Sequence, residues 1–278
     1  MKKQKKYLGN FDDASMSSFF HENTKCHTLE RTEGTSQKLF NSSFVHYKSY
    51  PRFKKTLLPK IFSKEEVSIQ EVIIKERPMM EFARKSFSLE EISKILFYSA
   101  GITHTEKMDE KELSHRAYPS IGSRYPLELY PVLFQDNEIE PGIYHYNVKS
   151  HTLELILTGD YRNQIIYSTK NQEWIKNASL AILISAIFKR TEMEFGDRGY
   201  RYVLLEAGHL AQNLFLITAS MSLTCDTIGE FLDDELNKLL DLDGTNEAII
   251  YIMVIGGKSR SLVTKIRDLF LFHRRPPP

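Results

Sequence analysis

Apolar residues recur along the chain with two periods, one typical of helices and the other of strands. In the segment SLEEISKILFYSAG, Ser88 stands at an N-cap position and Glu91 at the matching capping-box position. Apolar side chains then recur at helical spacing until Gly101. The pattern predicts a helix between Ser88 and Gly101.

The other strong signals predict a sheet and two further helices. LELYPVLF, PGIYHYN and HTLELILT are rich in β-forming residues and separated by turns. LAILISAIF and EAIIYIMVIGG are apolar on both faces, as central strands of a covered sheet must be. YRYVLLEAGHLAQNLFLITASMS predicts a long helix buried on most sides, and DDELNKLLDLDG predicts a second helix ending at Gly244. We therefore expect helices flanking a mixed sheet.

The chain divides into three regions. Residues 1–64 mix charged, hydroxyl and aromatic residues without a sustained period, and we interpret them as an extension packed on the main domain. The periodic elements occupy residues 65–258, which are predicted to form one domain. Residues 259–278 form a C-terminal tail ending in RRPPP.

Composition narrows the functional classes. The fractions of 41% hydrophobic and 26% charged residues are ordinary for a globular protein, and the formal net charge of +1 gives no field that attracts nucleic acid. The longest apolar run is about half of a membrane span, and the basic start has no apolar signal segment behind it. We expect a cytoplasmic protein that binds neither nucleic acid nor membrane.

Cysteine and histidine show no metal-binding motif. Cys26 and Cys225 lie far apart in the sequence, so reduced thiols are expected and not a disulfide framework or a zinc knot. The nine histidines lack H-E-x-x-H or a similar spacing. We predict no metal site.

The loop in RAYPSIGSRYPLELY combines turn residues with small hydroxyl side chains just before a strand. Pro119, Ser120 and Gly122 would let backbone amides approach a flat, anionic cofactor, and an ordinary turn explains the same residues equally well. The chain has neither G-x-G-x-x-G after a strand nor a P-loop. Any nucleotide must therefore be held in another way.

Two candidates for acid–base chemistry lie on the predicted long helix. His209 follows Glu206 by three residues, a spacing that allows a dyad but also suits a packed helix residue with a hydrogen-bonded imidazole. Tyr200 and Tyr202 offer phenols, and because residues two apart diverge on a helix, at most one of them faces a common site.

Ordered segments along most of the chain resemble SagB-type proteins of the nitroreductase superfamily. They are FFHENTK, HYKSYPRFKKTLLP, YPSIGSRYPLELY, EPGIYHYN, FGDRGYRYVLLEAGHLAQN, TIGEFLDDEL and LLDLDGTNEAIIYIMVIG. The resemblance implies an α+β nitroreductase-like fold with a mixed central sheet, and a homodimer with the long helix in its interface. It also implies FMN held where the subunits meet.

The resemblance assigns cofactor contacts to particular positions. Pro119, Ser120, Gly122 and Tyr125 match the loop along the flavin, and Gly229 and Glu230 match the loop near flavin N5. Lys258 and Arg260 follow the last strand, where cations suit the FMN phosphate but are also common at protein surfaces. Arg77 remains from a phosphate-binding element whose serine and second basic residue are missing in KERPMMEF.

The expected catalytic pair is also altered. Azoline-oxidising members carry Lys-Tyr-Gly before the Asp-Arg stretch, and this chain has Glu194, Phe195 and Gly196 there. Glu194 is either a base that replaces the lysine or an exposed acidic residue, with Tyr202 and His209 as further catalytic candidates.

The resemblance implies dehydrogenation of ribosomally made peptides, such as oxidation of azolines to azoles, with hydride passing to flavin N5. Its implied partners are a precursor peptide and cyclodehydratase-type subunits. Two alternatives remain: an NAD(P)H-dependent reductase of nitro compounds, quinones or enones, and a catalytically degenerate scaffold subunit of a peptide-modifying complex.

Overall fold

The computed structural model describes residues 16–25, 47–60, 62, 67–75, 80–108, 111–135 and 137–259. Arg77, Arg260 and Cys26 lie outside these ranges, as does much of the predicted extension and tail. The helices are α1 (Met16–Asn23), α2 (Ile69–Lys75), α3 (Leu89–Ala100), α4 (Arg162–Ser168), α5 (Lys189–Phe195), α6 (Gly199–Ser220) and α7 (Asp233–Leu239). The strands are β1 (Lys55–Leu57), β2 (Phe82–Ala83), β3 (Ile102–Met108), β4 (Lys111–Arg116), β5 (Leu127–Leu133), β6 (Gly142–Asn147), β7 (Thr152–Thr158), β8 (Leu180–Ile187), β9 (Leu223–Ile228) and β10 (Glu247–Lys258).

The main sheet has the strand order β1-β7-β6-β5-β8-β10-β2, and β9 also pairs with β10. The α+β class predicted from the sequence is confirmed. The sheet differs from the predicted mixed type, because every pairing among the described strands is antiparallel. Strands β5, β6 and β7 follow one another through loops too short for the crossover that a parallel pair needs. Strands β3 and β4 form a separate hairpin.

Both faces of the sheet are covered, which explains the continuous apolar sequence of β8. Ile182 and Ile184 belong to a core shared with α3 and α6, whereas Ala181 and Leu183 belong to a core shared with α4 and α7. This alternation follows from the two-residue period of a strand. The predicted central strand is thus confirmed.

The ends of the helices confirm one prediction and correct another. Ser88 and Glu91 form the predicted capping box of α3, and Gly101 is its C-cap. Helix α7 ends at Leu239, earlier than the predicted Gly244, because the following residues turn back towards the sheet with Gly244 at φ 71°.

The long helix α6 buries only part of its apolar surface within the chain. Val203, Leu210 and Leu214 are buried in the core, whereas Leu204 is 46% and Leu205 is 56% exposed. The prediction that α6 is buried on most sides therefore does not hold for the single chain. No helix in the described part of the chain is both long and apolar enough to cross a membrane.

Candidate active site

The loop that joins β4 to β5, called the Ser120 loop below (residues 119–125), has an uncommon backbone. Gly122, Ser123 and Tyr125 have positive φ angles of 67°, 54° and 45°. Left-handed backbone is costly for residues with a side chain and persists only where surrounding contacts hold it. A Cβ at Gly122 would lie 3.0 Å from Glu194 Oε2. The Ser120 loop is therefore held tightly against α5.

Contacts from two neighbouring elements fix this loop. From α5, Glu194 pairs with Arg124, and Arg190 Nη1 donates a hydrogen bond of 3.0 Å to the carbonyl oxygen of Tyr125. From β4, the backbone N–H of Arg116 donates to the phenol oxygen of Tyr125 at 3.1 Å. These bonds provide the external support that a strained backbone requires.

The carboxyl group of Glu206, on α6, lies buried beneath the Ser120 loop. Its Oε1 accepts from the backbone N–H of Ile121 at 3.1 Å, and its Oε2 is buried with no hydrogen-bond partner among the described residues. Burial raises the pKa of Glu206 to about 7, against the opposing effects of the Ser120 hydroxyl, the Ile121 amide and Arg116. Glu206 therefore keeps its proton to a higher pH than an ordinary carboxyl group does.

Two further buried polar side chains lie close to Glu206. Arg116 Nη1 donates to the carbonyl oxygen of Leu127 at 3.2 Å, but its Nε and Nη2 find no acceptor within the described structure. The buried hydroxyl of Tyr118 faces the guanidinium group of Arg116, and the pKa of Tyr118 is raised, chiefly by burial. Buried polar atoms without partners are rare in native proteins and often mark functional sites or bound solvent.

A buried series of charged groups leads from the Ser120 loop into the sheet. Arg190, which also contacts the loop, lies 2.6 Å from Glu128 on β5, and His145 on β6 is 3.0 Å from both Glu128 and Glu154. Burial opposes ionisation, but the hydrogen bonds from His145, with further donors and cations, lower the pKa of both carboxyl groups to about 2. The two carboxylates raise the pKa of His145 despite its burial.

Sequence reasoning missed this buried network. Glu128, His145 and Glu154 each alternate with apolar residues in a strand, a pattern that normally indicates a solvent-facing side. The available signal was the repetition of polar residues in three successive strands that were all predicted to pair.

The structure brings two of the predicted catalytic residues to the end of α5 and the start of α6. Glu194 is 16% exposed and already engaged by Arg124. The ring of its neighbour Phe195 packs edge-on against Tyr202, with centroids 5.1 Å apart. The phenol oxygen of Tyr202 accepts from Arg198 Nε at 3.0 Å. Glu194 and Tyr202 thus lie near the Ser120 loop, although each has a partner.

His209, the third predicted catalytic residue, lies in a different environment from Glu206. The imidazole is on the exposed side of α6, whereas the carboxyl group of Glu206 is fully buried and bonded to Ile121. Residues three apart on a helix differ in direction by only about 60°, so the two residues lie at the edge of the buried face of α6, with Glu206 on the core side and His209 on the solvent side.

The predicted residues near the ends of β9 and β10 form a second group. Glu230 is exposed, and its pKa is lowered by the hydrogen bond and charge of Lys170. A Cβ at Gly229 would meet no atom within 4 Å, so this backbone borders open space. Lys258 is half-buried at the end of β10. This group follows β9 and ends β10, whereas the Ser120 loop precedes β5.

A cavity of about 400 Å³ lies away from these residues, beside the β3–β4 hairpin. It contains none of the predicted cofactor residues. Its walls are formed by Tyr47, Lys60, Phe97, Ile102, Thr105, Ser114, Val148, Lys149 and His151. Within the described ranges, no cluster of three or more His, Cys, Asp or Glu residues could hold a metal ion.

Sequence comparison relates this chain to the nitroreductase family and to peptide-processing proteins. The model of the nitroreductase family matches residues 81–257. MJ1384 of Methanocaldococcus jannaschii, named as a nitroreductase, is 33% identical over 194 residues, which cover 70% of this chain and 93% of that protein. The microcin B17-processing protein McbC of Escherichia coli is 27% identical over 51% of this chain. The trifolitoxin-processing protein TfxB of Rhizobium leguminosarum is 29% identical over 60%.

The alignments span about half the length of the two peptide-processing relatives, 54% of McbC and 47% of TfxB. Structural comparison gives the same fold at lower sequence identity. A crystal structure described as a nitroreductase from Anabaena variabilis has a TM-score of 0.66 and 24% identity, covering 86% of this chain and 45% of the other. The Escherichia coli microcin synthetase McbBCD complex with truncated pro-MccB17 has a TM-score of 0.57 and 21% identity, with 86% of each chain covered.

Proposed function

The chain belongs to the nitroreductase family, and on that premise we propose that it is an FMN-dependent, SagB-type dehydrogenase of ribosomally synthesised peptides. The reaction is the oxidation of an azoline ring to an azole or a related dehydrogenation. The observation that carries this proposal is the strained Ser120 loop, fixed by α5 and β4 over a buried carboxyl group. The peptide-processing roles in the names of McbC and TfxB support a peptide as substrate.

The described residues fit a flat, anionic cofactor. Gly122 is exposed in the Ser120 loop, and Gly229 borders open space on the side where a Cβ would stand. Ser120 shapes the loop, because its hydroxyl oxygen accepts from the backbone N–H of Tyr125 at 2.9 Å. The half-buried Lys258 suits a phosphate. Pro119, Tyr125, Glu230, Arg77 and Arg260 complete the proposed FMN set. When bound, FMN supplies the hydride acceptor for dehydrogenation.

The chain's own acid–base groups then remove the second hydrogen as a proton. Glu194 lies closest to the Ser120 loop, and it must leave its pair with Arg124 before it can accept that proton. Tyr202 is the second candidate, with its phenol oxygen oriented by Arg198. His209, which is exposed on α6, takes part only if a partner surface covers it.

We further propose a cytoplasmic homodimer that works with a precursor peptide and cyclodehydratase-type subunits. Exposed apolar side chains on α6 and on the neighbouring α2 support a dimer interface there, among them Leu204, Leu205, Ile73 and Ile74. A dimer also offers a reason for two separate groups of cofactor residues, because one group from each subunit can build a shared site. The three-region organisation, 1–64, 65–258 and 259–278, is part of the same proposal.

Anaerobic mixing with a cyclised precursor peptide tests this function. The FMN-loaded protein should bleach without added nicotinamide, and the peptide should lose about two hydrogens per oxidised ring, measured by mass spectrometry. Ser120→Ala should weaken FMN binding, whereas the matched substitution Ser114→Ala in the β3–β4 hairpin should leave it unchanged. A colourless protein that cannot be reconstituted with FMN would instead support a scaffold subunit and overturn the proposal.

The similarity to MJ1384 favours a second candidate, an NAD(P)H-dependent reductase of nitro compounds, quinones or enones. Steady consumption of NAD(P)H with such acceptors, together with no flavin bleaching by the cyclised peptide, would select this activity. The two functions therefore differ in the electron donor, which is the peptide in the first and NAD(P)H in the second.

A further inference from the structure

Glu206 is a fully buried acid directly beneath the Ser120 loop, and the proposed reaction leaves it without a role. Its carboxyl group accepts a hydrogen bond from the backbone N–H of Ile121, so Glu206 contacts the main chain of the loop. The two residues are 85 positions apart in the sequence, and the contact exists only because the middle of α6 packs under the loop. A buried carboxyl group has no solvent to compensate a change in its charge.

The groups that face Glu206 leave its charge only partly balanced. Arg116 approaches from β4 and Tyr118 from the segment before the loop, while Ser120 and Ile121 belong to the loop itself. Arg116 and Glu206 form no ion pair in the described structure, and neither Glu206 Oε2 nor Arg116 Nε has a hydrogen-bond partner there. At neutral pH the protonated and ionised forms of Glu206 are therefore close in free energy, as its pKa of about 7 indicates.

We propose that Glu206 is a proton-linked positioning residue, which takes up a proton when negative charge develops on a flavin held by the Ser120 loop and releases it when that charge leaves. This inference rests on the proposed function. Two like charges near each other in a poorly solvated site repel strongly, so the arrival of an electron pair favours the neutral form of Glu206. No contact between Glu206 and substrate is required.

The pH dependence of the flavin reduction potential tests the proposal. A proton taken up with a two-electron reduction changes the potential by about 30 mV per pH unit. Above pH 7, Glu206 is ionised while the flavin is oxidised. The reduction potential of the wild-type protein should therefore fall more steeply with pH than that of Glu206→Gln, by about 30 mV per pH unit. The matched variant Glu192→Gln, a half-buried glutamate of α5, should retain the wild-type slope.

Equal slopes in wild type and Glu206→Gln overturn the inference and leave the proposed function standing, whereas a protein that binds no flavin overturns both. Infrared difference spectra of the wild-type protein give a second measurement that does not depend on folding of the variant. Reduction at pH 8 should add the C=O stretching band of a protonated carboxyl group. Absence of that band in a fully reducible protein also contradicts the proposal.

Discussion

At the scale of single residues, Gly122 combines a left-handed backbone with close neighbours on the side where a Cβ would stand. Alanine there would hold a left-handed backbone and place its Cβ 3.0 Å from Glu194 Oε2. We expect Gly122→Ala to lower the free energy of unfolding by about 1–3 kcal/mol, measured by urea denaturation. Ser123→Gly is the control, because glycine suits the positive φ of that position, and it should change stability by no more than about 0.5 kcal/mol.

Glu206 predicts a pH-dependent stability even without a cofactor. Its pKa is about 7 in the folded chain and about 4.3 in the unfolded chain. Its contribution to stability is therefore fully present below about pH 4.3 and is lost as pH rises through about 7. Between pH 5 and pH 8, the free energy of unfolding of Glu206→Gln should rise by about 1–3 kcal/mol relative to that of the wild type. Urea denaturation of both proteins at the two pH values measures this change. If their free energies of unfolding differ by the same amount at both pH values, the pKa of Glu206 is not raised.

Local chemistry made part of the site predictable. Ser120 and Gly122 were recognisable because turn residues carry their conformational signal in the adjacent sequence. The place of Glu206 under Ile121 was not, since it depends on which face of α6 packs against a loop far away in the chain. His209 and Glu206 show the same limit, because their spacing permits a dyad that the packing of α6 does not form.

At the scale of secondary-structure elements, His145 joins β5, β6 and β7 through two buried carboxylates. Its raised pKa adds stability that is fully present below about pH 6.5 and is lost as pH rises through the folded value. Glu128 and Glu154 add stability above about pH 4.3, which is lost as pH falls towards about 2. The network is therefore expected to be most stabilising between these limits.

Removing the imidazole leaves two buried carboxylates without their shared partner. His145→Gln should lower the free energy of unfolding by about 3–5 kcal/mol at pH 6. The difference from wild type should shrink at higher pH, because the wild-type protein then also loses its imidazolium charge. His104→Gln, an exposed histidine of β3, should have little effect at either pH. A difference for His145→Gln that stays constant from pH 6 to pH 9 would show that this imidazole remains neutral.

Elements with a strong local signal were predicted well. The capping box of α3 depends on residues three apart, and β8 follows from its continuous apolar sequence. The antiparallel order of the sheet and the early end of α7 depend on contacts between distant segments, such as the hydrogen bond from the backbone N–H of Ile249 to the side chain of Asn237. Such long-range pairings leave no periodic mark in a single sequence.

At the scale of the whole molecule, the exposed face of α6 predicts assembly. Leu205→Glu places a charge in the proposed interface, and we expect it to shift the protein from dimer to monomer in analytical ultracentrifugation. Leu57→Glu changes a leucine of β1 that is even more exposed, at 73%, and should leave the dimer intact. If both variants sediment as wild type does, the interface does not include α6.

A dimer would also connect assembly to cofactor binding. In the proposed homodimer, the Ser120 loop of one subunit and the group of Gly229, Glu230 and Lys258 of the other would build one shared site. We therefore expect Leu205→Glu to lose FMN in proportion to the loss of dimer, as followed by flavin absorbance across the same sedimentation boundary.

The pair formed by Arg124 and Glu194 has an evolutionary consequence. A lysine in place of Glu194, as in azoline oxidases, would stand beside the guanidinium of Arg124 at low exposure, where two cations repel. We therefore expect the residues at positions 124 and 194 to change together among related sequences. Related sequences with lysine at the position of Glu194 should accordingly carry an uncharged or acidic residue at the position of Arg124.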